Sequence, residues 1–177
     1  MNHTVELPEL MQVSFPRGAG ILLPIFSLPS QYGIGTFGPE AYRFCDFLQE
    51  AGMRYWQILP LGPTSYGDSP YQSFSTVAGN PYFIDFEYLC ADGLLERAEL
   101  EAISFGEKEE YVNYSLLYQQ RYRLLHRAFE RAMGKTSLAT SETKAAFGYS
   151  FLEGDRGTHE TLARFREKNG DWIEDYA

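Results

Sequence analysis

The chain has 177 residues and carries 24 Asp and Glu against 15 Lys and Arg, a formal net charge of −9. That balance disfavours a nucleic-acid backbone, whose recognition needs clustered cations that release counterions. The length suits one domain with a real core, or a piece of one, and the 16% aromatic content, with 13 Tyr and 13 Phe, implies a ring-rich core or rings that face a ligand.

The opening MNHTVELPEL has no basic end followed by an apolar run, and no apolar stretch reaches about 18 residues. Neither a secretory leader nor membrane contact is expected, and the expected compartment is the cytoplasm. GILLPIF (Gly20 to Phe26) reads as a buried strand that Pro24 keeps short or irregular. After SLPSQYGIGTFG, Pro39 suits a first helical turn, and Ala41, Phe44, Cys45, Leu48 and Ala51 recur at helical spacing up to Gly52. YWQIL (Tyr55 to Leu59), stopped by Pro60, is a second strand. Strand, helix and strand with a short return loop form a βαβ unit, so the two strands should be parallel and the fold class α/β.

A segment rich in Gly, Pro, Ser and Tyr, residues 60–81, separates that strand from YFIDF (Tyr82 to Phe86), which reads as a third strand. Loops of more than about 15 residues are uncommon inside compact domains and are often functional. Beyond Asn113, the residues Tyr118, Tyr122, Leu125, Phe129 and Ala132 form one helical stripe ended by Gly134. Further helices are expected around Glu142 to Phe147 and Thr158 to Glu167. Residues 1–110 are therefore expected to hold the α/β part and residues 111–177 a helical subdomain. In DWIEDYA, Asp171 stands three before Glu174, as in a capping box. A helix opened there would be cut short at Ala177, which suggests truncation.

Cys45 and Cys90 lie outside any C-x-x-C pattern and are expected to be buried small hydrophobes, not disulfide or zinc partners. His3, His126 and His159 are scattered, and His126 shares a charged helix face with Arg123 and Glu130. GIGTFG (Gly33 to Gly38) matches G-x-G-x-x-G letter for letter, yet the helix begins only after its last glycine. The next strand ends in Leu59 and Pro60 with no acidic residue for a ribose, so a dinucleotide site is rejected in favour of a strand-to-helix turn.

The long loop contains YGDSPYQSFS (Tyr66 to Ser75), and no Lys or Arg occurs from Tyr55 through Glu96. A phosphate or carboxylate ligand is improbable there. A neutral polyol fits better, because a sugar offers an apolar ring face to an aromatic side chain and a fringe of hydroxyls to amides, hydroxyls and carboxylates. Tyr66, Tyr71 and Phe74 are the platform candidates, and Asp68, Ser69, Gln72 and Asn80 the hydroxyl partners. Asp68, Asp85, Glu87 and Asp92 are the carboxylates of this region, with Asp85 and Glu87 able to share one strand face. None is nominated as the catalytic pair that glycosidic chemistry requires.

The run from GAGILLPIF through YWQILPLGPTSYGDSPYQSFS and AGNPYFID resembles the N-terminal region of the 4-α-glucanotransferases called amylomaltases or disproportionating enzymes, of glycoside hydrolase family 77. The resemblance is strongest from Gly18 to Asp92 and continues more loosely to WIEDYA. It implies the N-terminal part of a (β/α)₈ TIM barrel with a helical subdomain. It also implies a retaining double displacement that moves part of an α-1,4-glucan to the 4-hydroxyl of another glucan or glucose, with no metal or organic cofactor. Tyr71 then resembles a tyrosine on the donor side of the active site, and Tyr66 one at a secondary glucan site on the surface. Asp68, Ser69 and Gln72 fall in the matched loop with no fixed role. The family's catalytic carboxylates come from later barrel strands, so none is expected among these residues. The expected partners are α-1,4-glucans, maltodextrins and glucose, and the alternative is a non-catalytic glucan-binding or regulatory module. A helical interaction protein built on the segment after Asn113 would leave the loop unexplained.

Overall fold

The structure, a computed structural model, describes residues 16–106, 110–134 and 154–176. Strand β1 (Gly20–Leu22) pairs in parallel with β2 (Tyr55–Gln57), in the register Gly20 with Tyr55 and Leu22 with Gln57. Helix α1 (Pro39–Glu50) joins them, with Pro39 in its first turn. The βαβ unit is therefore present. Each strand is shorter than its apolar run, and β1 ends where the chain turns at Pro24 into a 3₁₀ turn over Ile25–Ser27.

Helix α1 buries a narrower stripe than expected. Ala41 and Leu48 are buried and the Phe44 ring meets Trp56 edge-on at 4.8 Å, whereas Cys45 is exposed and only Cys90 is buried. A two-stranded sheet offers a narrow floor, so positions flanking the central stripe of α1 remain in solvent.

GIGTFG owes its glycines to packing. A Cβ on Gly35 would lie 2.0 Å from the Ile25 carbonyl oxygen, and one on Gly38 would lie 2.0 Å from the Asp85 carboxylate. The pattern is a close backbone crossing, in keeping with its rejection as a nucleotide motif.

YFIDF is not a strand. The side chain of Asn80 accepts a hydrogen bond from the Tyr82 amide and opens a 3₁₀ turn over Pro81–Phe83, and Asp85 caps α2 (Phe86–Ala91) by accepting from the Glu87 amide. These two side-chain caps bend a segment whose alternation suggested β structure, since Asn and Asp compete for local backbone donors. Asp85 and Glu87 consequently do not share a strand face.

Helices α3 (Arg97–Glu101) and α4 (Tyr114–Ala132) follow, and α5 (Gly154–Tyr176) is interrupted by non-helical backbone at Asn169. The stripe that α4 buries is Leu117, Arg121, Leu124 and Ala128. It stands beside the expected stripe, leaving Tyr118, Tyr122 and Phe129 exposed. An arginine among the most buried positions hides this face from any reading based on apolar spacing. Leu117, Leu124 and Ala128 enter the same core as Ile25, Ile34, Phe86 and Phe105. The helix foreseen around Thr158 to Glu167 falls inside α5. The break at Asn169 replaces a helix start at Asp171, and the helix foreseen at Glu142 to Phe147 lies outside the described residues, as do His3 and the side chain of His159.

Arg121 is fully buried and, among the described residues, has no carboxylate in hydrogen-bond contact. Its guanidinium donates to the carbonyls of Tyr32 (3.2 Å) and Ile84 (2.5 Å) and lies 4.1 Å from the centre of the Phe86 ring. Burial lowers its pKa to about 10, against the opposing pull of Asp85 and Tyr82, so it stays charged near neutrality. Nearer the C-terminal end of α4, Arg127 (2.5 Å) and Arg131 (2.6 Å) close on Glu99, which also accepts from the Glu96 amide in a capping box. His126 and Glu130 face solvent, with Nδ1 3.8 Å from the carboxylate.

Replacing Arg121 by Ala should lower unfolding stability by about 3 kcal/mol, because it strands two carbonyls and opens a cavity. A loss below about 1 kcal/mol in urea denaturation would contradict this role. For Glu99, desolvation favours the neutral acid, but the donors from Arg131, the Glu96 amide and Arg127 outweigh it and bring the pKa from 4.5 to about 2. A depressed carboxyl pKa stabilises the fold above the ordinary value and loses that contribution as pH falls towards the folded value. The Tm advantage of the parent over Glu99→Gln should therefore be full at pH 6 and shrink between pH 4.5 and 2. An advantage independent of pH would refute it.

Candidate functional site

The long loop leaves the C-terminal end of β2 and is organised by two consecutive tight turns. The Asp68 amide donates to the Ser65 carbonyl (3.0 Å), closing a turn with Tyr66 and Gly67 at its centre. The Gln72 amide donates to the Ser69 carbonyl (3.0 Å), closing a second turn with Pro70 and Tyr71 at its centre. Positive φ at Gly67 (98°) and Asp68 (54°) makes the reversal possible, and an antiparallel bridge from Thr64 to Ser73 joins the two arms.

This geometry fixes where the rings go. Tyr66 is fully exposed and Tyr71 is 73% exposed, so each sits at a turn tip with its faces largely in water. Phe74 is also mostly exposed, and its ring stacks on Tyr176 of α5. The three platform candidates therefore do not belong to the core.

The polar candidates divide. Gln72 is exposed. Ser69 shapes the second turn, its Oγ lying 3.4 Å from the Tyr71 amide. Asp68 is only partly exposed, and burial raises its pKa. Its charge in turn contributes to the raised pKa values of Tyr82 and Tyr114, for which burial is the larger cause, and Tyr82 reaches about 12. Asp68 thus faces inward, where it lines a cleft of about 10 Å³ with Asn80, Phe83 and Tyr114, room for one water molecule at most. Asn80 is buried, and its Oδ1 is engaged by the Tyr82 amide at 2.9 Å. The structure therefore gives the Asn80 side chain a capping role.

Tyr82 and Tyr114, 6.3 Å apart at their ring centres, and Tyr122, 5.7 Å from Tyr82, form an aromatic wall behind the loop. The stripe of α4 pointed only to Tyr122, and no local signal joined Tyr114 or Tyr176 to the loop, because both arrive from distant sequence.

The carboxylates of Asp85 and Glu87 are committed to structure. Asp85 accepts from the Thr36 hydroxyl and the Glu87 amide, and Glu87 accepts from the Tyr32 hydroxyl while pairing with Arg97 at 2.5 Å. Asp92 is the C-cap of α2. Among the described residues no group of three or more His, Cys, Asp or Glu could hold a metal ion, and no helix is long and apolar enough to cross a membrane.

The family model described as 4-alpha-glucanotransferase, of glycoside hydrolase family 77, matches residues 23–177. Similar curated proteins include the 4-alpha-glucanotransferases of Clostridium butyricum, 44% identical over 153 residues (86% of this chain, 27% of that protein), and of Streptococcus pneumoniae, 50% identical over 137 residues (77% and 27%). Among solved structures, the amylomaltase from Streptococcus agalactiae in complex with acarbose superposes with a TM-score of 0.74 at 41% identity. The match covers 92% of this chain and 28% of that one. The chain thus spans about a quarter of the length of the relatives it matches.

Because Asn80 caps the turn that follows the loop, Asn80→Ala should cost about 1 kcal/mol of stability while Asn80→Asp retains most of it. Urea denaturation of the two variants decides, and equal losses would remove the capping assignment.

Proposed function

The chain belongs to the 4-alpha-glucanotransferase family, and from that premise we propose that it supplies the glucan-holding loop of an enzyme moving a segment of an α-1,4-glucan to the 4-hydroxyl of an acceptor glucan or glucose. In this reading Tyr71 contacts the donor chain near the reaction centre and Tyr66 holds glucan at a separate surface position. Gln72 and Ser69 meet sugar hydroxyls, Asp68 lies beneath the platform, and Asn80 sets the turn that supports it. β1 and β2 are the first strands of a (β/α)₈ barrel, residues 111–177 contribute a helical subdomain beside it, and the reaction runs in the cytoplasm.

The observation that carries the proposal is the pair of turns holding Tyr66 and Tyr71 out in water at the C-terminal end of a parallel strand. Tyr66 is the most exposed large hydrophobic side chain among the described residues, and Tyr71 stands beside it at the next turn. The C-terminal ends of parallel strands are where α/β folds place their ligand loops. The absence of Lys and Arg from Tyr55 through Glu96 favours an uncharged ligand, and the acarbose in the amylomaltase neighbour is in keeping with a sugar. The barrel reading is supported by the exposed Leu22 and Tyr55 on a two-stranded sheet, a face and edges that further strands would cover.

The chemistry needs two carboxyl groups flanking the bond, one as nucleophile and one as acid and base, about 5–5.5 Å apart for retention. Asp85 and Glu87 are tied to Thr36, Tyr32 and Arg97, and Asp68 has no carboxylate partner in the cleft it lines. These three carboxylates therefore do not form the catalytic pair, which in this reading comes from later barrel strands.

The 177-residue chain should bind maltoheptaose in calorimetry yet release no glucose from maltotriose. Tyr71→Ala should weaken binding by about 1–2 kcal/mol, roughly tenfold, with Tm unchanged because the ring is exposed. Glucose release by this chain would overturn the placement of the carboxylates, and parental affinity in Tyr71→Ala would overturn the platform.

A further inference from the structure

The hydrogen bonds of the loop are short-range. Ser65 to Asp68, Ser69 to Gln72, Ser65 Oγ to the Gln72 carbonyl and Ser73 Oγ to the Ser75 carbonyl shape it internally, and the Asn80 amide closes its base on the Leu61 carbonyl at 2.8 Å. None of these bonds orients the arm carrying Tyr71 with respect to the helices.

A ring contact does. Phe74, three residues after Tyr71, stacks on Tyr176 of α5 with centroids 5.7 Å apart and planes 11° from parallel. Tyr176 is backed by Trp172 at 6.2 Å, and Trp172 meets Phe165 edge-on at 6.5 Å. The helix break sits inside this row. Asn169 donates from Nδ2 to the Phe165 carbonyl (2.8 Å) and accepts from the Trp172 indole (3.2 Å), so one side chain stitches the two sides of the interruption. Residues 163–168, before the break, are exposed on every side, whereas Trp172, Ile173 and Tyr176 after it are partly buried. The break turns the last part of α5 onto the loop.

We propose that Tyr176 is a positioning residue for the glucan loop: its stack on Phe74, backed by Trp172, holds the arm bearing Tyr71 in register with α5. The use of the arm for glucan rests on the function proposed above, while the mechanical contact does not. An offset or parallel ring pair is worth about 0.5–1.5 kcal/mol beyond its buried area, a two- to tenfold effect on a local opening equilibrium. The Tyr176 hydroxyl is not needed for it.

The test is hydrogen exchange on the 177-residue chain, read at the amides of residues 71–75 with those of α4 as an internal reference. Phe74→Ala and Tyr176→Ala should each speed exchange in 71–75 by about two- to tenfold with α4 unchanged, and Tyr176→Phe should match the parent. Maltoheptaose affinity should fall by a similar factor in the two Ala variants and recover in Tyr176→Phe. If Tyr176→Ala loosens α4 as well, Phe74→Ala decides, because its ring is largely exposed and its loss leaves the core intact. Parental exchange in 71–75 of Phe74→Ala overturns the proposal, as does faster exchange with undiminished affinity in both Ala variants. Faster exchange in a chain whose parent binds no maltoheptaose refutes the glucan reading and leaves the brace standing.

Discussion

The rest of this structure hangs on one buried cation. Arg121 enters from α4, crosses the face of Phe86, and ends on the carbonyls of Tyr32 and Ile84. Those carbonyls belong to irregular segments, the turn leading into GIGTFG and the link between the 3₁₀ turn and α2, where no strand or helix partner satisfies them. A buried carbonyl without a donor costs free energy comparable to a lost hydrogen bond, and a guanidinium supplies several donors from one side chain. By doing so Arg121 allows two non-repetitive segments to pack tightly, and these segments set the floor under the loop. The cost is a desolvated charge, eased by the Phe86 ring and the nearby Asp85, and seen as a pKa lowered to about 10.

This arrangement also explains what could be read from the residues in advance and what could not. The βαβ unit was legible because Pro39, Gly52 and the two apolar runs are local signals with local causes. The Tyr71 and Tyr66 tips were legible because turn residues and the absence of cations mark a solvent-facing loop. YFIDF misled because its period-two pattern is real, yet Asn80 and Asp85 supply caps that favour bent backbone. The face of α4 misled because apolar spacing passes over an arginine, and Arg121 is buried only by virtue of partners 89 and 37 residues away. Asn80 was placed with the sugar contacts by its chemistry, which is equally the chemistry of a cap.

Two demands on the loop conflict, and the fold separates them. Rings that receive a sugar must stay in water, where nothing packs against them, while a loop that offers a fixed geometry must be packed against something. Under the proposed function these tasks fall to different residues between Tyr66 and Phe74. Tyr66 and Tyr71 take the turn centres, Asp68 turns inward to the wall of Tyr82 and Tyr114, and Phe74 lies against α5.

The same division bears on affinity. A platform that must be ordered on binding gives up part of its contact energy to lost conformational freedom, and preorganisation removes that loss. Proline at Pro70 restricts the turn before Tyr71, the Thr64 to Ser73 bridge closes the arms, and positive φ at Asp68, which strains a residue other than glycine, is held by the packing around it. The strain and the exposed rings are both unfavourable in the unliganded chain. Under the proposed function they are retained together because they set the ring orientation offered to a glucan chain.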